Sequence, residues 1–138
     1  MINLLKELKI HTKDQEIINI TSEIEKIVKE SKLEIGLINL SILHTSASLF
    51  VQENASEDVL LDISDFLNTL VPQSFKYRHN MEGPDDMPAH IKSLLTNSNL
   101  TFSVENSTII LGRWQGIYLY EHRTGERTRA VIVHLMGS

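Results

Sequence analysis

The 138 residues carry a net charge of −5, with 41% apolar side chains, 22% charged side chains and no cysteine. A chain of this length reads as one domain, 1–138, able to bury a real core. The missing cysteines exclude a disulfide framework and a thiolate metal site, and the acidic balance argues against a general nucleic-acid binder. No apolar run reaches the roughly eighteen residues of a membrane span. The opening residues also lack the long apolar region of a signal peptide, so a cytoplasmic protein is expected.

Residues 2–11 and 15–20 read as two strands about the Lys13-Asp14 turn, an opening hairpin. Ser22 and Glu25 have capping-box spacing, and Ile24, Ile27 and Val28 follow at helical spacing, predicting a helix of about ten residues. Residues 37–44 alternate as a core strand ending at His44, and 49–53 form a second strand after the Thr45-Ser-Ala-Ser48 corner. Asn54 or Ser56 can cap the next helix, which Pro72 ends. Its stripe of Val59, Leu60, Ile63, Phe66, Leu67 and Leu70 reads as core rather than as a partner-binding face. A third helix is expected from about Met87 to Asn97, with Pro88 in its first turn, Asp85 and Asp86 as caps, and Ile91, Leu94 and Leu95 on its apolar face. Residues 100–104 and 108–111 flank Glu105-Asn-Ser107, a hairpin signal, and 116–122 and 127–136 flank Thr124-Gly125, a second one. Trp114 reads as core. The sum is an α+β domain with a mostly antiparallel sheet and about three helices.

Chemistry concentrates in Tyr77-Arg-His-Asn-Met-Glu-Gly-Pro-Asp-Asp-Met-Pro-Ala-His-Ile-Lys92, which holds two histidines, three carboxylates and an arginine. Gly83-Pro84 breaks any regular element, so His79 lies in a loop. If that loop folds back, His79, Asp86 and His90 converge on one point. His44 could add a third imidazole, and three protein ligands with an open position are the catalytic zinc pattern. The spacing matches no compact metal motif, and the plainer alternative leaves His90 bonded to the preceding loop, His79 in solvent and the aspartates as caps. The hydroxyls and amides of His44-Thr-Ser-Ala-Ser48 can cradle an oxyanion or simply satisfy their own backbone. Arg127 and Arg129 share a strand face and suit phosphate, but equally ion pairs with Glu121 and Glu126. Glu53 reads as a solvated strand-end carboxylate. There is no P-loop and no Gly-x-Ser-x-Gly elbow, so neither NTP hydrolysis nor a serine hydrolase is indicated.

Four segments in order resemble the YjbQ (UPF0047) family, also described as secondary thiamine-phosphate synthase enzymes. They are His44-Thr-Ser-Ala-Ser-Leu-Phe-Val-Gln-Glu-Asn54, the Tyr77…His79…Asp86-Met-Pro-Ala-His90 block, Leu111-Gly-Arg-Trp-Gln115 with Tyr120-Glu121, and Arg127-Thr-Arg-Ala-Val131 with Gly137. The resemblance implies a single α+β domain that assembles as a homotrimer. It also implies a weak synthase activity, joining a pyrimidine diphosphate to a thiazole phosphate with release of pyrophosphate, whose physiological weight is unsettled. The motif positions carried over are His44, Thr45, Ser46, Glu53, His79, Asp86, His90, Gln115, Glu121 and Arg129. On this reading His44, His79 and His90 bind a divalent metal, zinc or magnesium. Asp86, His79 and Glu53 act in catalysis, and Thr45, Ser46 and Arg129 hold phosphate. Asn106-Ser107 replaces the family's usual Asp-Gly turn. The alternatives are a metal-dependent hydrolase of a small phosphorylated or acyl metabolite, and a non-catalytic protein that binds an anionic ligand.

Overall fold

The computed structural model describes every residue from Met1 to Ser138. In chain order the elements are β1 (Ile2–Lys13), β2 (Ile17–Asn19), α1 (Thr21–Ser31), β3 (Ile35–Ile42), β4 (Ala47–Glu53), α2 (Glu57–Leu70), α3 (Asp86–Leu95), β5 (Asn99–Glu105), β6 (Thr108–Ile109), β7 (Gln115–Glu121) and β8 (Glu126–Gly137). They build the expected α+β fold as two antiparallel sheets, ordered β1-β8-β3-β5-β6 and β2-β7-β4. No helix is long and apolar enough to cross a membrane.

Two of the three expected hairpins are corners instead. β1 pairs along its length with β8, from Ile2 opposite Gly137 to Lys13 opposite Glu126, while β2 pairs with β7. The strands on either side of Asp14-Gln15, and those on either side of Thr124-Gly125, therefore lie in different sheets. Alternating polarity tells which face a residue takes, not which strand it pairs with. The corners are tied together: the Asp14 and Gln15 N–H groups donate to the Gly125 and Arg123 carbonyls at 3.1 and 2.9 Å, and Gly125 N–H donates to Asp14 Oδ1 at 2.8 Å. The β5–β6 hairpin forms as expected. Asn106 and Ser107 both take positive φ, 54° and 56°, the conformation a two-residue hairpin turn demands.

The inward residues of both sheets, among them Ile38, Leu40, Leu49, Ile117, Leu119, Val131, Val133 and Leu135, form one core with Ile24 and Val28 of α1. The Ser22–Glu25 capping box does not close. Ser22 bonds Glu23, and Asn19 Oδ1 accepts both the Thr21 N–H and its hydroxyl. Gly36 and Gly137 face each other between β3 and β8, and a Cβ on Gly36 would run into the Met136 carbonyl. Gly36→Ala is therefore expected to cost about 1–3 kcal/mol, the usual range for forcing extra atoms into packed structure, read as a lowered denaturant midpoint.

Both later helices bury less than their patterns suggest. From its stripe α2 buries only Leu67, which packs with Phe50, Tyr118 and Tyr120, and it leaves Phe66 66% and Leu70 55% exposed. The helix lies over a small satellite cluster whose width covers only part of the stripe. α3 turns the other face inward, burying Pro88, Ala89 and Lys92, and exposes Leu94 and Leu95. Its packing is dictated by the close approach of small residues to β4, where the Ser93 hydroxyl donates to the Ala47 carbonyl. Trp114 is also outside the core, with the Arg113 guanidinium 4.8 Å from its ring centre.

Candidate functional site

The start of α3 meets the β7–β8 corner through two buried aspartates. Neither makes a capping bond. Asp85 stands at the N-cap position, but its Oδ2 accepts from Arg123 Nε at 3.0 Å, from Thr124 N–H at 2.9 Å and from the Thr124 hydroxyl at 3.2 Å. Arg123 continues with Nη1 3.2 Å from Asp86 Oδ1 and with Nη2 donating to the Glu82 carbonyl at 2.8 Å. The guanidinium thus spans the loop and both carboxylates. A charge-assisted fork of this kind fixes orientation as well as position. Burial pushes the Asp85 carboxyl up, but its bonds to Arg123 and Thr124 outweigh that and hold it below the usual range.

With Oδ1 held by Arg123, Asp86 turns Oδ2 toward two imidazoles. His79 Nε2 donates to it at 2.8 Å, and His90 Nε2 lies 3.2 Å away. The ring centres are 5.6 Å apart, and the three ligand atoms all fall within 4.8 Å of one another. The fold-back of the Gly83-Pro84 loop achieves this convergence. Burial raises the Asp86 carboxyl, while the His79 hydrogen bond and the His90 and Arg123 charges pull it down further, leaving it below the usual carboxylate range.

His90 supplies a decisive detail. Its Nδ1 donates to the Thr45 carbonyl at 2.9 Å. A carbonyl can only accept, so Nδ1 carries the proton, and in the neutral ring Nε2 presents a lone pair. That lone pair faces a carboxylate oxygen. Two acceptors at this distance require a proton or a cation between them, and a metal-bound histidine donating its other nitrogen to a carbonyl is the usual supporting arrangement. The donor set therefore fits a divalent cation.

The other expected site residues are distributed differently. His44 does not join the cluster, because its Nε2 accepts the Ala130 N–H at 2.9 Å. Burial, then the nearby Arg129 charge, lower its pKa. Thr45 contributes its carbonyl to His90. Ser46 receives Arg129 Nη2 on its hydroxyl at 2.9 Å and its carbonyl at 3.2 Å. Arg129 itself is buried and forked onto Glu121, Nε to Oε1 and Nη2 to Oε2, both at 2.6 Å, so the ion-pair alternative describes it. Glu53 ends β4 at the far side from Ala47, about 20 Å away at the usual strand rise, and does not reach the histidines. Gln115 closes a local turn by accepting the Gly112 N–H at 2.7 Å.

Three residues at the corner went unassigned in the sequence reading. Arg123 and Thr124 organise the aspartates, and His122 is buried beneath them with Nε2 2.8 Å from the Ser48 hydroxyl. Arginine clustering pointed at the hairpin, but not at which arginine turned inward. Two clefts flank the cluster. One of about 480 Å³ borders His79 and is lined by Phe75, Lys76, Tyr77 and Met87 among others. The second, of about 270 Å³, lies on the other side of His90 and is lined by His44, Thr45, Ser93, Leu94 and Ser98.

Fold and site together define a two-sheet α+β protein with a histidine–aspartate cluster between two surface clefts. The family model described as UPF0047 protein YjbQ-like matches residues 6–138. A UPF0047 protein of Synechocystis is 45% identical over 94% of this chain and 89% of its own, and the UPF0047 protein YjbQ of Escherichia coli O157:H7 is 38% identical over 96% of both. The chain belongs to the UPF0047, YjbQ-like family. A crystal structure of a family member from Clostridium acetobutylicum, 35% identical, superposes with a TM-score of 0.88 over 95% of this chain and 99% of that one. A YbjQ-like protein of unknown function from Sulfolobus solfataricus, 21% identical, shares the fold with a TM-score of 0.87 over 99% of both chains.

Proposed function

We propose that the chain is a metal-dependent enzyme acting on a small phosphorylated metabolite, with the weak thiamine-phosphate synthase reaction of the resemblance as its specific form. The observation that carries this reading is the convergence of His79 Nε2 and His90 Nε2 on Asp86 Oδ2, at 2.8 and 3.2 Å, with His90 Nδ1 committed to the Thr45 carbonyl. These three residues hold the cation, and their imidazole content favours zinc over magnesium. Arg123 and Asp85 keep Asp86 turned toward the histidines. When bound, the cation supplies Lewis-acid stabilisation of charge on a departing diphosphate.

The phosphate donors differ from those expected from sequence. Arg129 is committed to Glu121, whereas Lys76 and Arg78 line the cleft region next to His79 and offer free cations there. The synthase reading places the diphosphate in that region, within reach of the metal. A second reading, hydrolysis of a phosphate ester or acyl compound, is favoured by the three-donor set itself, which leaves a coordination position for water. Assays of synthase turnover against a panel of phosphate esters and lactones, with and without zinc or magnesium, separate the two.

His79→Ala and His90→Ala are each expected to lower zinc affinity by at least about 100-fold, the upper end of what losing even a supporting contact costs, and to abolish turnover. Metal content and activity surviving both substitutions would end the proposal. Assembly as a homotrimer, which the family resemblance implies, is part of the same proposal, and the exposed Phe66, Leu70, Leu94 and Leu95 leave apolar surface for subunit contacts. Light scattering at micromolar concentration is expected to give three times the chain mass.

A further inference from the structure

His44 is the residue the cluster leaves out, and its geometry is as restrictive as that of His90. The Ala130 N–H points at Nε2, so Nε2 must be the acceptor and Nδ1 must carry the proton of the neutral ring. No protein group accepts from Nδ1. Nor is it buried: the two side-chain nitrogens both buried and unpartnered are His122 Nδ1 and Arg127 Nε. His44 lines the cleft on the far side of His90, together with Thr45, Ser93, Leu94 and Ser98. The β8 backbone thus fixes the tautomer of His44, leaving its Nδ1–H as an uncharged donor on a residue that lines a pocket shared with His90 of the proposed cation site.

The lining of this cleft also limits what it takes. It holds hydroxyls and imidazoles but no lysine or arginine. The nearest guanidinium, on Arg129, is neutralised by Glu121, and these two charges act on His44 in opposite directions. A phosphate dianion is better matched by the Lys76 and Arg78 region on the opposite side, where cationic donors are available. A carboxylate, with one charge over two oxygens, suits a neutral donor beside a cation.

We propose that the cleft lined by His44, Thr45 and His90 is a carboxylate-binding subsite, with His44 Nδ1–H as its fixed donor. The proposal rests on the metal reading only in that a bound cation at His90 would share the carboxylate. It implies that the substrate carries a carboxylate on the side of the metal away from its phosphate.

The test uses acetate as the probe, titrated by calorimetry into metal-free and zinc-loaded protein, with inorganic phosphate as a competitor. His44→Gln keeps an acceptor where Nε2 meets the Ala130 N–H but has no donor at the Nδ1 position. His44→Asn keeps an amide N–H near Nδ1. Acetate affinity is expected to fall at least about tenfold in His44→Gln, the lower end of what one lost hydrogen bond to a charged group costs, and to recover in His44→Asn. Zinc affinity and thermal midpoint are expected to match the unsubstituted protein in His44→Gln. Unchanged acetate binding in His44→Gln, stronger binding of phosphate than of acetate at this cleft, or a parallel loss of zinc affinity would overturn the assignment. Failure of the unsubstituted protein to take up zinc would remove the metal reading, and the acetate comparison in metal-free protein would still decide this one.

Discussion

Arg129→Leu is expected to destabilise the fold by about 3–5 kcal/mol, because it strands a buried carboxylate without its partner. Glu121 has no exposed surface and receives Arg129 twice, the Thr12 hydroxyl at 2.6 Å and the Arg123 N–H at 2.9 Å. Burial alone pushes its carboxyl up, but Arg129, Thr12 and the Arg123 amide outweigh it and hold the group below its ordinary 4.5. In the unsubstituted protein this pairing contributes stability above that value and loses it as pH falls through the lower folded-state value. Removing Arg129 reverses the balance, so Glu121 in the variant takes up a proton more readily than in solution. The deficit relative to the unsubstituted protein should therefore be largest near neutrality and shrink as pH falls. Urea unfolding at a series of pH values reads this directly. A pH-independent cost below about 1 kcal/mol, the level of an exposed pair, would show that the pair does not act as a buried ion pair. The double variant Glu121→Leu, Arg129→Leu should recover most of the loss, since no charge remains to be stranded.

The second large effect concerns His122. Burial first, then the Lys92 charge, lower its pKa to about 3, with the Arg129 charge adding to this and Glu121 opposing it. Below about 6.5 the unfolded chain binds a proton that the folded protein refuses, so stability declines by up to about 1.4 kcal/mol per pH unit. The decline begins well above the range where the depressed carboxylates of Glu121, Asp85 and Asp86 start to contribute. His122→Gln keeps a polar atom for the Ser48 hydroxyl and removes the titration. Its stability is expected to fall less steeply between pH 6.5 and 5 than that of the unsubstituted protein, the remaining decline coming from His44, whose pKa is also lowered. Identical slopes for the two proteins would show that His122 is hydrated or protonated in the native state.

The parts of the fold readable from sequence were those decided by neighbours along the chain. Asn106 and Ser107 marked their hairpin because a two-residue turn between alternating strands has little choice of partner. The residues around Gly83-Pro84 allow a fold-back without requiring it, and the loop does bring His79, Asp86 and His90 together. The corners at Asp14 and Thr124 could not be told from hairpins, because they are set by pairing between the two ends of the chain. The inward role of Arg123 depends on that crossing, and so was hidden with it. Leu94 and Leu95 promised an apolar face that α3 does not use, because Ala89 and the aspartates decide its orientation. Arg129 offered two chemistries, phosphate or carboxylate, and only the position of Glu121 eight residues earlier on the neighbouring sheet selects between them.

The order of strands in the larger sheet has a consequence for how the chain emerges during synthesis. β8 is the last strand made, yet it lies between β1 and β3 and bonds to both. Until β8 has been made, β1 has no partner in this sheet, and β3 is paired on one side only. The nascent chain carries these open edges until β8 emerges, and closure of the sheet waits on pairing between strands far apart in sequence, the slowest kind to form. A truncation that ends before Glu126 should accordingly leave no native large sheet rather than a shortened one.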